Sequence, residues 1–387
     1  MVNIVLVGKG TIGTGLLLRA HELAEQGHFF SGVADTSGLA FPLHEGGPYT
    51  PDEAMQLADQ KPLYPLAMAL GHTGVVVGPR SLDAVATHLL QPTSFDHVLV
   101  DTTPSADMIA VQTQAIANGR YVVSVNKKPY ANGDARHSVD YLLSNALDGR
   151  VQLRGTVGAN IGAPETLMQA LREHPDDRFV IQGCLSGTLG YVCNQLQQGK
   201  VFSEAVESAV ALGYTEPRPF DDFSGLDVAR KATILGRLCA RHWGLPISVV
   251  QVQHDSFLDA AVHGTDYDAR VLEDLDGPAF AGASRGLDGY FADFMAALPE
   301  GHVPRYIARV SASRDAGVHV SVGLVAVTAE RCLGKLDGSD NLVTITAGSH
   351  EYAAGPGPGA GVKPTTDAII YGIDALAAKP GLLASRF

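Results

Sequence analysis

NIVLVGKGTIGTGLLLRA, residues 3–20, is the stretch whose reading decides the fold. The apolar, partly β-branched run Ile4, Val5, Leu6 and Val7 reads as a buried strand, and Leu16, Leu17 and Leu18 flank the helix that follows. Between them Gly8, Gly10 and Gly13 fall in G-x-G-x-x-G spacing, with Thr11 and Ile12 at the turn into the helix. The first glycine permits the tight turn, the second lets the backbone approach a pyrophosphate, and the third lets helix meet strand. The helix N-terminus then supplies positive dipole. About twenty residues further on, HFFSGVADTSG puts Asp35 at a strand end, where a carboxylate accepts hydrogen bonds from adenosine ribose hydroxyls. A 2′-phosphate would be repelled there, and the following TSG offers no Arg or Lys, so NAD is the preferred cofactor. NADP stays possible if a basic group folds in from elsewhere, and an ordinary strand-end turn would also account for Asp35.

Outward from this turn, TGVVVG, HVLVDTTPS and YVVSVNKKP are further strand-like runs, most of them separated by helix-compatible stretches. That alternation predicts βαβ units, a parallel sheet and an α/β, Rossmann-type dinucleotide-binding domain. Thr102, Thr103, Asn126 and Lys127 end two of the strands, where ligands of such sheets bind, although Lys127 and Lys128 also read as a solvated loop pair. A polar helical connection follows over 126–148, and the rhythm stops in the Gly- and Pro-rich VQLRGTVGANIGAP, residues 151–164. Beyond it FVIQGCLSG, RYIARVSA, VHVSVGLVAV and NLVTITAG read as strands around a long helix after Gly225, an α+β pattern. The resulting division is a dinucleotide-binding domain over 1–137, completed by 355–387, and a substrate-binding, catalytic and dimerisation domain over 138–354. The segments around 38–80 and 256–300 read as surface insertions.

GYTEPRPFDDFSGLDVARKA, residues 213–232, gathers Glu216, Asp221, Asp222, Asp227, Arg230 and Lys231 in twenty residues of a chain only 18% charged. FSEAVESAVALGY before it reads as an amphipathic helix. SGLDVARKATILGRLCA reads as another, capped by Ser224 or Asp222. Asp227 and Lys231, four apart, share a helix face with the acid on the N-terminal side. Such a pair is ordinarily a surface salt bridge; crowded by Glu216 and Asp222, it also fits a site that holds a substrate amino group while a lysine handles a proton. Nearby carboxylates favour the ammonium form, which suits donation to an alkoxide-like oxygen. The turn at Ser186, Gly187 and Thr188 offers backbone amides for a substrate carboxylate.

Composition narrows the classes. The chain has 387 residues, 45% hydrophobic, with a formal charge of −13, a balance that repels nucleic acid and anionic lipid. MVNIVLVGKG has no basic flank or cleavage site, and no run of about 18 apolar residues occurs, so a cytoplasmic location and no membrane association are expected. Cys184, Cys193, Cys239 and Cys332 lack metal or disulfide spacing and read as reduced and buried.

Together GKGTIG, VDTTPS, SVNKKP, GTVGA, GCLSGTLGY, GYTEPRPFDDFSGLDVARK and GPGPGAGVKPTTDA resemble, in order, the motifs of homoserine dehydrogenase. The resemblance implies a Rossmann domain completed by the C-terminal helix, a mixed-sheet substrate domain and a homodimer formed through a strand-rich region. It implies reversible reduction of L-aspartate 4-semialdehyde to L-homoserine, in the route to threonine, methionine and isoleucine. By motif, Lys231 and Asp227 match the catalytic pair and Lys127 the other functional lysine. Glu216 and Asp222 fall near the substrate amino group, and Tyr214, Gly187 and Thr188 match substrate contacts. Gly8, Thr11, Ile12, Thr103 and Gly359 fall in cofactor-contact segments. The family often carries a Glu that, with main-chain carbonyls, holds a sodium ion; Arg154 stands there and Asn160 replaces a Gly, which puts the sodium ion in doubt. EPRP replaces the usual EPDP, and no regulatory ACT or aspartate kinase segment is expected. The alternatives are a paralogous dehydrogenase for another amino-acid semialdehyde or hydroxy acid, and a non-catalytic cofactor-sensing protein.

Overall fold

The computed structural model describes residues 2–43, 47–59, 61–77, 81–89, 96–132, 135–258 and 269–379. They form two compact units, one of residues 1–160 with 361–387 and the other of 161–360. Residues 259–268 of the expected 256–300 insertion and 380–387 of the expected C-terminal segment lie outside the described residues.

The first unit is built on a seven-stranded sheet in the order β4-β3-β2-β1-β5-β6-β7. Its strands are β1 (Val2–Val7), β2 (His28–Asp35), β3 (Gly38–Pro42), β4 (Thr73–Val77), β5 (Asp96–Asp101), β6 (Tyr121–Ser124) and β7 (Val151–Gln152). From β2 through β7 the pairing is parallel, and every residue of β1 is buried, as a strand covered on both faces requires. β1 has β2 on one side and β5 on the other, with Val7 opposite Asp101. The chain therefore switches direction at the carboxyl ends of β1 and β5, the crevice where sheets of this class bind ligands.

Three expectations change. β3 and β4 extend the sheet antiparallel, so the parallel alternation ends at β2. Residues 38–80 are no mere surface insertion: Tyr49, Ala54, Leu57, Leu63 and Ala67 join Ile4, Leu6 and Phe30 in one core, and Thr50 and Glu53 form a capping box on the helix Pro51–Gln56. Apolar positions in such short helices carry too few turns to show their period in sequence. The unit boundaries fall at 160/161 and 360/361 rather than at 137/138 and 354/355. The helix Arg136–Leu147 leads to β7, which pairs with β6 and keeps 138–160 with the first sheet. The helix Val362–Ala377 contributes Ile369, Ile370, Ile373 and Leu376 to the first core, and Arg19 ties it down through Asp367 at 2.6 Å and Thr366 at 2.8 Å.

The second unit holds a six-stranded sheet, β13-β12-β8-β10-β11-β9, with β8 (Phe179–Cys184), β9 (Val250–His254), β10 (His302–Ser313), β11 (Gly317–Thr328), β12 (Asp340–Ala347) and β13 (His350–Pro358). It is antiparallel except where β9 joins β11, so the mixed α+β reading holds. The helices Ala163–Glu173, Gly187–Gln197 and Leu226–His242 pack on it. Cys184, Cys193 and Cys239 are buried and free, whereas Cys332 is exposed, contrary to expectation, on the turn after β11. No helix among the described residues is long and apolar enough to cross a membrane.

Gly13 shows how tightly the first turn is made. A Cβ there would overlap the Gly8 carbonyl oxygen and sit 3.1 Å from Thr102 Oγ1. Alanine would gain about 1 kcal/mol of helix propensity, yet a rigid backbone clash costs about 1–3 kcal/mol and wins. Gly13→Ala is thus expected to lower the urea midpoint of the transition that unfolds the first sheet, followed by circular dichroism.

Candidate active site

At the glycine turn Gly8 adopts φ +103, and a Cβ on it would lie 2.8 Å from both Thr102 C and Thr103 N. Only glycine lets the β1 and β5 ends approach this closely. Thr102 seals the approach, its Oγ1 donating to the Gly8 carbonyl at 2.6 Å and its amide to that of Val7 at 2.9 Å. Around Gly10 the space is open: among the described residues, no atom outside its chain neighbours lies within 4 Å of a Cβ built there. An empty margin beside the first turn of Thr11–Leu17 fits a dinucleotide pyrophosphate.

Behind the turn lies Asp101, buried at the end of β5 and absent from the sequence reading. Its Oδ1 accepts from Thr103 N at 2.9 Å, and its Oδ2 from Gln112 Nε2 at 2.7 Å and Asn126 Nδ2 at 3.0 Å. Burial outweighs these bonds and pushes its carboxyl up to about 6. Asn126 is consumed by the same network: Nδ2 also donates to Ser105 O at 2.7 Å, and Oδ1 accepts from Lys128 N. Its side-chain amide braces the wall behind the turn. Thr103 Oγ1 is likewise engaged by Asn126 and by Ser105 N. Lys127, half-buried, begins the short helix Lys128–Ala131 next to this network.

Asp35 is not a bare acceptor. Its Oδ1 takes the Ser37 amide at 2.7 Å and hydroxyl at 2.5 Å, and its Oδ2 takes Leu63 N at 2.9 Å. A basic residue within the glycine motif, Lys9, lies in electrostatic reach of Asp35. Lys9 donates to the carbonyls of Asp59 and Lys61, its pKa lowered by burial and held up by the charges of Asp35 and Asp59. Sequence reading passed over Lys9 because it weighed only the residues following Asp35.

In the second unit the charged cluster is assembled. Gly225 starts the helix Leu226–His242 at φ +70, and any Cβ there would overlap the Tyr306 hydroxyl, so glycine alone permits this approach to β10. Gly225, not Ser224 or Asp222, holds the N-cap position; Ser224 Oγ accepts from Leu226 N at 3.3 Å, and Asp222 belongs to the short helix Pro219–Phe223. One turn on, Asp227 meets Lys231 at 2.8 Å, and Lys231 Nζ donates to Leu185 O at 2.6 Å. Lys231 is 7% exposed, so this is no loose surface pair. The Leu185 carbonyl ends β8 just before Ser186, whose Oγ caps Gly187–Gln197 by accepting from Leu189 N. Gly187 packs against the Ser339 carbonyl, 3.1 Å from a built Cβ.

Thr188 joins the pieces, donating to Tyr214 O at 2.6 Å and Asp222 Oδ1 at 3.2 Å. Asp222 Oδ2 accepts from Glu216 N at 2.8 Å, which leaves the Glu216 side chain exposed and the Tyr214 ring beside Tyr191. Asp222 is pushed up to about 6, first by burial, with Glu216 and Asp227 adding repulsion. The structure thus brings Gly187, Thr188, Tyr214, Glu216, Asp222, Asp227 and Lys231 into one unit, while Gly8, Gly10, Thr11, Ile12, Gly13, Asp35, Thr102, Thr103, Asn126 and Lys127 lie in the other. Gly359 belongs to the second unit, one residue short of the boundary, tucked against the Asn341 amide. A cavity of about 590 Å³ elsewhere on the second sheet, lined by Gln182, Thr344 and Tyr352 among others, contains none of these residues.

The doubt over a sodium ion has a structural ground: the Arg154 guanidinium donates to Asn160 Oδ1 at 2.6 Å and to Asn160 O at 3.0 Å, and a second positive charge does not fit beside it.

A doubly wound dinucleotide-type sheet joined to a unit with a buried lysine–carboxylate pair defines a dehydrogenase-like architecture. The family profile for homoserine dehydrogenase matches residues 168–373, more than half of the chain, and the chain belongs to that family. A maize bifunctional aspartokinase/homoserine dehydrogenase is 30% identical over 76% of this chain, and Saccharomyces cerevisiae homoserine dehydrogenase is 33% identical over 64%. The matches span 31% and 66% of those two proteins. The fold is that of a hyperthermophilic archaeal homoserine dehydrogenase solved with NADPH, at TM-score 0.67 and 21% identity, covering 99% of this chain and 100% of that one.

Asp101 gives this site a pH signature. A carboxyl raised from 3.8 to about 6 in the fold contributes stability that is complete below pH 3.8 and is lost as pH rises through 6. Asp101→Asn removes that component, so the fall in urea midpoint between pH 4 and pH 6.5 should be smaller in the variant than in the parent. Parallel curves would contradict the assignment.

Proposed function

We propose that this chain is an NAD(P)-dependent homoserine dehydrogenase that interconverts L-aspartate 4-semialdehyde and L-homoserine, in the route to threonine, methionine and isoleucine. The observation that carries the reading is Lys231, a buried lysine whose Nζ lies 2.8 Å from the Asp227 carboxylate and donates to the Leu185 carbonyl at 2.6 Å. The nicotinamide, when bound, supplies or accepts the hydride at the substrate's C4. Lys231 Nζ gives a proton to the carbonyl oxygen during reduction and takes it back during oxidation. Asp227 holds the ammonium in place, and Glu216 and Asp222 receive the substrate amino group. Gly187, Thr188 and Tyr214 shape the pocket floor, and Lys127 is the second functional lysine.

Gly8, Gly10, Thr11, Ile12 and Gly13 would hold the pyrophosphate, with Thr102 and Thr103 beside them, and Gly359 is a further cofactor contact by its motif. Asp35 supports a preference for NAD, and Lys9 beside it supports accommodation of NADP. A cytoplasmic homodimer completes the reading. Val325, exposed on β11, is compatible with association through that strand-rich region.

The test is the initial rate of nicotinamide absorbance change with L-homoserine and either NAD or NADP, with L-serine and L-threonine as controls. Turnover with homoserine, faster with NAD, is the expected result. Turnover of a control substrate alone, or of none by folded protein, would overturn the substrate assignment.

A further inference from the structure

The chain leaves the first unit through a turn whose backbone needs support. Gly158 and Gly162 have φ +71 and +79, and between them Ala159, a non-glycine residue, sits at φ +49. Asn160 follows, at the boundary itself. Both of its oxygens converge on one positive charge: Arg154 Nε donates to Asn160 Oδ1 at 2.6 Å, and Arg154 Nη2 to Asn160 O at 3.0 Å. The guanidinium also lies over the Tyr371 ring, 4.1 Å from its centroid, on the helix Val362–Ala377 that follows the other boundary. A planar, permanently charged fork is suited to holding two oxygens and an aromatic face at once. Oxygens converging on a fixed charge are also what a bound monovalent cation would arrange, and a second positive charge cannot share them.

We propose that Arg154 is a built-in cation. Its guanidinium does at the 157–162 turn the ordering that a sodium or potassium ion would do, which makes the fold of this turn independent of added monovalent cations. Arg154 is then a positioning residue that fixes the path of the chain out of the cofactor-type unit, and Tyr371 is its platform.

Amide hydrogen exchange of the peptide covering 156–162 tests this without substrate, so its outcome is separate from that of the activity assay. The parent protein should exchange at the same rate in sodium, potassium and choline chloride at equal ionic strength. Arg154→Met keeps the length of the stem and loses the fork; exchange in 156–162 should rise about tenfold, the size expected for one lost charge-assisted bond. Arg154→Lys should fall between the two, Tyr371→Leu should show a smaller rise, and guanidinium ion added to Arg154→Met should restore protection where choline does not. Exchange in the strands β1 and β5 reports whether each variant remains folded. Cation-dependent exchange in the parent, or parent-like exchange in folded Arg154→Met, would overturn the proposal.

Discussion

An ammonium that is 7% exposed has to be held, and the second unit is organised around holding that of Lys231. Its two partners come from different elements, Leu185 O from the end of β8 and Asp227 from one turn earlier on its own helix. The helix can bring Lys231 there only because Gly225 lacks a side chain and accepts a left-handed backbone against Tyr306. The lysine end is buried while the Asp227 carboxylate stays 44% exposed, so the pair is held from its buried side, unlike the surface salt bridge its spacing alone would suggest.

The first unit follows a matching logic with the opposite sign. There the buried charge is the carboxylate Asp101, and its three donors come from the Thr103 amide, Gln112 and Asn126. The network fixes the ends of β5 and β6 behind the glycine turn, and Thr102 ties β5 to Gly8 in front. Residues that touch no ligand thereby decide where the open margin at Gly10 lies. In each unit a buried charged side chain, satisfied by atoms from separate elements of the fold, locates the residues assigned to chemistry.

The elements legible in the sequence were those with a long apolar run or an obligatory glycine. β1, the Gly8–Gly13 turn, the helix Leu226–His242 and the strands β8, β10, β11 and β12 have these marks, whereas β9 and the Gly-rich β13 do not. The helix pattern around Asp227 and Lys231 places the two side by side, but the bond that holds Lys231 from its buried side, to Leu185 O just after β8, is distant in sequence. The short helices and antiparallel strands over 38–77 were obscured because their core residues, such as Tyr49 and Leu63, are scattered among turn formers. Asp101 and Lys9 were missed for a related reason. A single charged residue in an apolar strand or a glycine turn acquires meaning only from the partners the fold brings to it, here Asn126 and Gln112 in one case and Asp35 in the other.

The most direct test of this account is the turnover number of Lys231→Met with L-homoserine at saturating cofactor, alongside circular dichroism and cofactor affinity. With the fold and cofactor binding retained, loss of the proton-handling group should lower kcat by at least about a hundredfold. A folded variant that turns over at the parent rate would contradict the assignment of proton transfer to the buried lysine.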